Sequence, residues 1–164
     1  AKRLMGVVPQ ELALYEELSA AENLEFWGRL AGLDTKTARA RTAEILAALT
    51  LSDRARDPVK TFSGGMKRRV NLGCALLHRP KLILLDEPMA GMSSEETHYT
   101  LHLIREVTAG RALLIVEHDM DVVFQLADRI SVLVYGQVIA TGTPDEIRQH
   151  RGVREAYLGE EVAA

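Results

Sequence analysis

The chain has 164 residues, of which 47% are hydrophobic and 26% are charged, and its net charge is −3 at pH 7. This composition excludes a disordered chain, and the weakly acidic balance gives no reason to expect nucleic acid as the main partner. The single cysteine, Cys74, excludes an internal disulfide and favours a cytosolic setting. No apolar run approaches the about 20 residues needed to span a bilayer. The length suits one domain.

Residues 4–10 are predicted to form a short strand that stops at Pro9 and delivers Gln10 to a loop. A glutamine in such a loop can ligate Mg²⁺ or water through its amide oxygen. A lone glutamine after a strand is usually only polar surface, and only its position ahead of the motif at residues 63–65 makes Gln10 a candidate.

The segment from residue 14 to about residue 51 is predicted to be helical. Ser19 and Glu22 have the spacing of a capping box, which predicts the start of a helix. Asp34 or Thr35 is predicted to begin a second helix. Apolar side chains recur at helical spacing along both stretches.

The tripeptide Ser63-Gly64-Gly65 is predicted to open a further helix. Ser63 is a good N-cap, and the two glycines let a phosphate group approach the first amides of the helix. The N-terminus of a helix attracts anions, and basic residues at positions 67–69 add positive charge one turn later. Taken alone, this tripeptide is more often an ordinary capped helix start.

A run of four apolar residues, 82–85, precedes Asp86 and Glu87. Apolar residues without alternation predict a strand covered on both faces in a parallel α/β sheet, where ligands bind at the carboxyl ends of strands. Successive strand residues point to opposite faces, so the two acids have different roles. One can hold Mg²⁺ through its water shell while the other orients an attacking water. A buried strand may also simply end in an acidic turn, but Ser63 and Asp86, 23 positions apart, form a more specific pair.

Residues 61–88 resemble the signature motif and the Walker B strand of an ATP-binding-cassette (ABC) ATPase, and the resemblance extends over essentially the whole chain. It implies an α/β fold of the P-loop NTPase (RecA-like) class, with a mostly parallel sheet and an inserted helical subdomain. The implied parts are residues 1–13 (Q-loop strand and loop), 14–62 (helical subdomain) and 63–164 (signature helix and C-terminal catalytic portion).

The chain beyond Pro88 continues the resemblance. Ser93 or Ser94 is predicted to cap the next helix, at the position of the family's D-loop. Residues 111–117 repeat the pattern of an apolar strand that ends in polar groups, and His118 follows it. A lone histidine at a strand end is more often structural. In this context, an imidazole can hydrogen-bond a γ-phosphate and hold Glu87 and water in place, so His118 resembles the switch histidine.

Residues 130–141 are predicted to form a hairpin with a two-residue turn at Gly136-Gln137, followed by a short helix with Pro144 in its first turn. The ending at residues 155–160 resembles the branched-chain amino acid and urea importer ATPases. Residues 6–88 resemble the multidrug or polysaccharide export ATPases instead. Two explanations of this split stay open: a divergent member of the family, or a chain joined from two sources near Pro88.

The resemblance implies a role for each site residue. Glu87 polarises the attacking water, His118 contacts the γ-phosphate, and Gln10 senses the nucleotide. Asp86 holds Mg²⁺, with Gln10 as a further ligand. The residues implied to close over ATP across a dimer are Ser63, Gly64, Gly65, Met66 and Ser93.

The P-loop pattern G-x-x-x-x-G-K-[ST] does not occur in the 164 residues. That loop cradles the β- and γ-phosphates in P-loop NTPases, so we expect a chain without the N-terminal strand and P-loop. Alone, it is expected neither to bind ATP tightly nor to hydrolyse it. The missing strand is expected to leave strand edges open.

The implied partners are a transmembrane permease subunit, facing residues 14–31, and a second ABC ATPase subunit in a head-to-tail dimer; nucleic acid is not expected. The implied location is the cytoplasmic face of a membrane, as a peripheral subunit. Two alternatives stay open. One is a non-catalytic fragment that docks on a membrane subunit or an intact ATPase. The other is a soluble ABC ATPase, for which the expected coiled-coil or basic insertions are not visible.

Overall fold

The computed structural model describes residues 4–158, and the chain divides into two compact units, Ala1–Val116 and Glu117–Ala164. The domain boundaries predicted after residues 13 and 62 both lie inside the first unit and stay a prediction. Within residues 4–158, every helix is too short or too polar to cross a bilayer.

The first unit contains a parallel sheet of three strands: β1 Met5–Val8, β2 Leu82–Asp86 and β3 Ala112–Val116. β2 lies in the middle and pairs in parallel with both neighbours, which confirms the predicted sheet type. The register places Val8 beside Leu85 and Asp86 beside Val116. The carboxyl ends of the three strands therefore lie along one edge of the sheet.

The two faces of this sheet differ in burial. Ile83 and Leu85 are fully buried, whereas Val7, Leu114 and Val116 on the opposite face are exposed to 47%, 52% and 52%. The prediction that β2 is covered on both faces is therefore correct for one face only. An unbroken apolar run shows that both faces are apolar, and it cannot show that both are covered.

Four helices accompany the sheet: α1 Ala20–Leu30, α2 Thr35–Ala48, α3 Gly64–Leu76 and α4 Ser94–Thr108. Short 3-10 turns lie at Ser52–Arg54 and Val59–Thr61. The capping box of Ser19 and Glu22 is confirmed, and Asp34 is the cap of α2. The prediction of helix from residue 14 is wrong, because Asn23 exchanges hydrogen bonds with the backbone of Tyr15 (2.8 and 2.9 Å) and holds that segment as a loop.

The core of the first unit lies where α3 packs against α1 and α2. A Cβ atom built on Gly73 of α3 would lie 2.9 Å from side-chain atoms of Ile45 and Leu49 and 3.0 Å from Leu24. Glycine at this position therefore permits a close approach of three helices. Leu24 and Leu49 are fully buried at this crossing. The packing fixes the position of α3, whose first turn carries the predicted phosphate contacts.

The second unit contains helices and a hairpin: α5 Met120–Leu126, β4 Ile130–Val134, β5 Gln137–Gly142, α6 Pro144–Gln149 and α7 Arg151–Val153, followed by a π-helical turn, Arg154–Leu158. Pro144 begins α6, as predicted. The small core of this unit consists of Val123, Ile130, Val132, Ile147 and Val153.

The predicted hairpin is confirmed, but its turn is Tyr135-Gly136, one residue earlier than predicted. Both turn residues have positive φ angles (49° and 76°), as two-residue hairpin turns of type I′ require. Gln137 instead pairs with Val134 in the strand. Part of the predicted C-terminal resemblance, at Gly159 and Glu160, lies outside the described residues.

Candidate functional site

Two of the predicted catalytic residues meet at the carboxyl edge of the sheet. Gln10 lies two residues beyond β1, and Glu87 follows β2 directly. The side-chain amide nitrogen of Gln10 donates a hydrogen bond of 2.7 Å to Oε2 of Glu87, although the two residues are 77 positions apart. The bond uses the amide nitrogen of Gln10, so it leaves the amide oxygen, the atom predicted to ligate Mg²⁺, outside this contact.

The backbone of Glu87 has an unusual conformation. Its φ angle is +41°, in the left-handed region that glutamate rarely adopts. Its N–H donates to the carbonyl of Val116 in β3 (2.9 Å), and its own carbonyl accepts from the N–H of Ala90 (3.1 Å). Disfavoured backbone conformations persist only where neighbouring contacts hold them, and they cluster at functional sites.

Asp86 is the last residue of β2 and is half-buried. By strand alternation its side chain lies on the face opposite Leu85, whereas Glu87 has already left the strand. No cluster of three or more His, Cys, Asp or Glu side chains within residues 4–158 is arranged to hold a metal ion. One carboxylate and one amide oxygen nevertheless fit Mg²⁺, which is usually bound by few protein ligands together with water and phosphate oxygens. The predicted roles of Asp86 and Gln10 as ligands stay a prediction.

The first turn of α3 is built as the sequence predicts. Ser63 is the N-cap, and its hydroxyl oxygen accepts a hydrogen bond of 3.2 Å from the N–H of Met66. Gly64 is exposed, and a Cβ atom at that position would have only the carbonyl of Gly91 within 4 Å, at 3.9 Å. The backbone of this turn is therefore accessible to a group from outside.

Glu96 of α4 lies against the start of α3. Its Oε1 accepts from the hydroxyl of Ser63 (3.2 Å), and its Oε2 accepts from the N–H of Ser93 (3.2 Å). Hydrogen bonds from Ser93, Ser63 and the backbone of Gly65 lower the pKa of Glu96 from its ordinary value of 4.5. Sequence reasoning missed this residue. The spacing of Ser93 and Glu96 is visible as a capping box, but the contact with Ser63 has no local signal.

Two of the three basic residues of α3 contact other segments of the first unit. Lys67 forms an ion pair of 2.5 Å with Glu16. Arg69 donates to the carbonyl of Leu49 (3.1 Å), and its guanidinium lies 5.1 Å from the ring centre of Tyr99. These contacts attach α3 to its neighbours, and the prediction that the basic residues add positive charge near a phosphate site stays a prediction.

Arg68, the third basic residue, reaches the loops after β1 and β2. Its Nη1 donates to the carbonyl of Gln10 (2.5 Å), and its Nη2 donates to the carbonyl of Ala90 (3.2 Å). These contacts cross 58 and 22 positions of sequence. Sequence reasoning counted Arg68 only as a charge, because hydrogen bonds to distant carbonyls leave no pattern in the sequence.

The remaining predicted residues are Ser93 and His118. Ser93 is the N-cap of α4, and its hydroxyl accepts from the N–H of Glu96 (3.3 Å), so a contact with nucleotide stays a prediction. His118 lies two residues after β3, the parallel neighbour of β2, as predicted. It belongs to the second unit, its side chain is 74% exposed, and its N–H donates to Oε2 of Glu117 (3.1 Å). Its role at a γ-phosphate stays a prediction.

Comparisons with known proteins bear on the whole chain. A family profile described as ABC transporter matches residues 1–90, and a profile described as branched-chain amino acid ATP-binding cassette transporter matches residues 137–163. The linearmycin resistance ATP-binding protein of Bacillus subtilis is 42% identical over 153 residues, which are 93% of this chain and 49% of that protein. A daunorubicin resistance ATP-binding protein of Streptomyces coeruleorubidus is 40% identical over an alignment of 168 positions, which covers 97% of this chain and 53% of that protein.

A Nod factor export ATP-binding protein of Sinorhizobium fredii is 37% identical over 88% of this chain and 42% of that protein. The chain thus spans about half the length of the curated relatives it matches. The two family profiles confirm both the ABC resemblance of the first part and the branched-chain transporter resemblance of the ending. The chain belongs to the ABC transporter family.

Proposed function

We propose that this chain is part of the ATP-binding subunit of an ABC transporter, which hydrolyses ATP to power transport. It contributes the signature turn, Ser63–Met66, and the catalytic edge, which consists of Gln10, Asp86 and Glu87. The observation that carries the proposal is the 2.7 Å hydrogen bond between Gln10 and Glu87, beside Asp86 at the carboxyl edge of a parallel sheet. Ligand chemistry in open α/β sheets takes place at this edge.

Glu87 is the residue that polarises the attacking water in this proposal, and the amide of Gln10 orients its carboxylate. Asp86 and the amide oxygen of Gln10 would hold Mg²⁺, which neutralises charge on the phosphate oxygens when bound. His118 would donate a hydrogen bond to the γ-phosphate. Phosphoryl transfer requires mainly positioning and charge stabilisation, which this small set of polar side chains can supply.

The start of α3 serves a second ATPase subunit in this proposal. Ser63, Gly64, Gly65 and Met66 would present a hydroxyl and backbone amides to the phosphates of an ATP molecule held by that subunit, with Ser93 close to the same dimer contact. The exposed backbone at Gly64 supports this role. The carboxylate of Glu96, which accepts from Ser63 and from the backbone of Gly65, would have to give way to the phosphates.

The proposed setting is the cytoplasmic face of a membrane, where the segment containing residues 14–31 would contact a transmembrane permease subunit. The net charge of −3 gives no reason to expect nucleic acid as the main partner. The names of the relatives, which include drug resistance and Nod factor export ATP-binding proteins, support a transport role.

Titration calorimetry with ATP and Mg²⁺ tests the proposal on two chains. One is the chain of 164 residues, and the other is the same chain lengthened at its N-terminus by the P-loop segment of the Bacillus subtilis relative. We expect micromolar binding by the lengthened chain only. Binding of equal strength by the 164-residue chain would mean that another loop holds the phosphates. Absence of binding by the lengthened chain would contradict the proposal that ATP binds at the carboxyl edge of the sheet.

Replacing the proposed base tests the catalytic role in the same lengthened chain. Glu87→Gln is expected to lower the rate of ATP hydrolysis by on the order of hundreds-fold, since general bases contribute roughly 10²–10⁴-fold. ATP affinity should stay nearly unchanged. Glu95→Gln is the matched control, because it removes the same charge from an exposed position on α4. Equal losses in the two variants would contradict a specific role of Glu87.

A further inference from the structure

Arg68 joins the loop after β1 to the loop after β2. It is half-buried on α3, and its guanidinium donates to the carbonyl of Gln10 (2.5 Å) in the first loop and to the carbonyl of Ala90 (3.2 Å) in the second. A planar guanidinium presents several N–H donors in a rigid fork, so one side chain can span two acceptors. A lysine, with one ammonium on a flexible stem, cannot reproduce this geometry.

Both carbonyl acceptors lie in the loops that carry Gln10 and Glu87. The first is the backbone carbonyl of Gln10 itself, whose side chain donates to Glu87 at 2.7 Å. The second is the carbonyl of Ala90, whose N–H closes a turn onto the carbonyl of Glu87 at 3.1 Å. Arg68 therefore bonds to the backbone on both sides of the side-chain pair.

The conformation of Glu87 explains why such support is needed. With a φ angle of +41°, Glu87 lies in a backbone region that favours glycine. Its N–H is held by the carbonyl of Val116 in β3 (2.9 Å), and the turn on its other side is held by Ala90 and, through Ala90, by Arg68. A residue in such a conformation keeps it only while the surrounding hydrogen bonds persist.

We propose that Arg68 is a positioning residue that keeps Gln10 in hydrogen-bond contact with Glu87 by binding the backbone of the two loops that carry them. The catalytic meaning of this role rests on the proposed function. Arg68 lies on the same helix as Ser63, so a displacement of α3 would reach the Gln10–Glu87 contact through this guanidinium. Asn71 of the same helix also contacts this loop: its side-chain amide donates to the carbonyl of Pro9 (3.4 Å) and accepts from the N–H of Ala13 (3.3 Å). The start of α3 and the catalytic edge would then be coupled mechanically.

Nuclear magnetic resonance on the 164-residue chain tests the proposal without nucleotide. The variant is Arg68→Met, which keeps the apolar stem, and the matched control is Arg69→Met, which removes the neighbouring guanidinium that bonds to Leu49 instead. Glu87→Ala gives the reference position of the Gln10 side-chain amide signals when the acceptor is absent. The second readout is hydrogen exchange at the backbone amide of Ala90.

We expect Arg68→Met to move the Gln10 side-chain amide signals to their positions in Glu87→Ala and to speed exchange at Ala90 by at least about tenfold. Arg69→Met should leave both readouts at their wild-type values even if it lowers the melting temperature. A purely structural role of Arg68 would lower the melting temperature without this selective change. Wild-type Gln10 signals in folded Arg68→Met would overturn the proposal.

Arg68→Lys is a second variant that tests the positioning role of Arg68 if Arg68→Met does not fold. Lysine can restore at most one of the two backbone contacts, so either the Gln10 side-chain amide signals or exchange at Ala90 should depart from wild type. Wild-type values of both readouts would overturn the proposal. The outcome is independent of the calorimetric test. Arg68→Met can leave the Gln10 signals unchanged while the lengthened chain still binds ATP. It can also shift those signals while the lengthened chain does not bind ATP.

Discussion

The helices α3 and α4 have the same kind of N-cap, but only α4 has a capping box. Ser63 and Ser93 both cap their helix from an extended backbone and accept the N–H of the third helical residue, at 3.2 and 3.3 Å. In α4 that third residue is Glu96, whose carboxylate bonds back to the N–H of Ser93. In α3 it is Met66, which has no group to return.

This difference shows how one kind of helix start can serve two purposes. The start of α4 is completed by its own capping box, which stabilises the helix. The start of α3 has two glycines and no carboxylate of its own, and the carboxylate that contacts Ser63 comes from Glu96 of α4. Because Glu96 already places a carboxylate at the start of α3, a phosphate that binds there must displace it, whereas the start of α4 keeps the carboxylate of its own capping box.

The largest effect on ATP hydrolysis is expected from a substitution at Gly64, the first residue of α3. Gly64→Ala adds a methyl group that meets no atom of this chain closer than 3.9 Å, so it should leave the fold intact and stabilise α3 by up to about 1 kcal/mol. The same methyl group would lie where a phosphate approaches, so ATP hydrolysis by the lengthened chain should fall by on the order of tenfold or more.

Ser94→Ala changes the equivalent position of α4 and serves as the control. It should leave ATP hydrolysis unchanged. Hydrolysis rates and urea unfolding of the two variants measure both effects. Equal hydrolysis by Gly64→Ala and Ser94→Ala would break the distinction between the two helix starts.

A smaller effect is expected from the two caps. Ser63→Ala and Ser93→Ala should each lower the free energy of unfolding by about 1 kcal/mol, because each removes an N-cap. Both hydroxyls contact Glu96, so the double variant should lose less than the sum of the single losses, by more than about 0.5 kcal/mol. Urea unfolding of the three variants measures this, and additive losses would show that Glu96 does not link the two helices.

The smallest effect concerns the pH dependence of stability. The pKa of Glu96 in the folded chain is lowered below its ordinary value of 4.5 by the hydrogen bonds that it accepts. Its contribution to stability should therefore be fully present above pH 4.5 and be lost as the pH falls through the lower, folded-state pKa. The stability difference between the wild type and Glu96→Gln should shrink over that acidic range.

Urea unfolding between neutral and acidic pH measures this difference, with Glu95→Gln as the variant of equal charge change. A difference that stays constant through the acidic range would contradict the assignment of the hydrogen bonds to ionised Glu96.

Much of the fold was predictable because it depends on neighbours in the sequence. Ser19 was recognisable as a helix cap, and Asp34 and Ser93 were each one of two adjacent candidates. The apolar run before Asp86 predicted a strand of a parallel sheet. The errors were also local in origin. The sequence did not show that Asn23 holds the segment before α1 as a loop, and the hairpin turn lay one residue earlier than expected, at Tyr135.

The candidate site was predictable in its members and only partly in its contacts. Gln10, Asp86 and Glu87 were expected at strand ends, and the parallel order β1-β2-β3 places those ends on one edge. Glu96 and Arg68 were missed as parts of the site. Their contacts with Ser63 and with Gln10 cross 33 and 58 positions and depend on where α3 and α4 pack.

The sequence by itself determined the helix caps, the glycine-rich start of α3 and the strand that ends in two acids. These features follow from short-range sterics, hydrogen bonding and apolar periodicity, which a few consecutive residues express completely. Only the tertiary structure decided that Gln10 bonds to Glu87, that Glu87 adopts a left-handed backbone, and that Arg68 spans the two loops. Those outcomes require α3 to be seated on the sheet, because a hydrogen bond between distant residues exists only once packing has brought its donor and acceptor together.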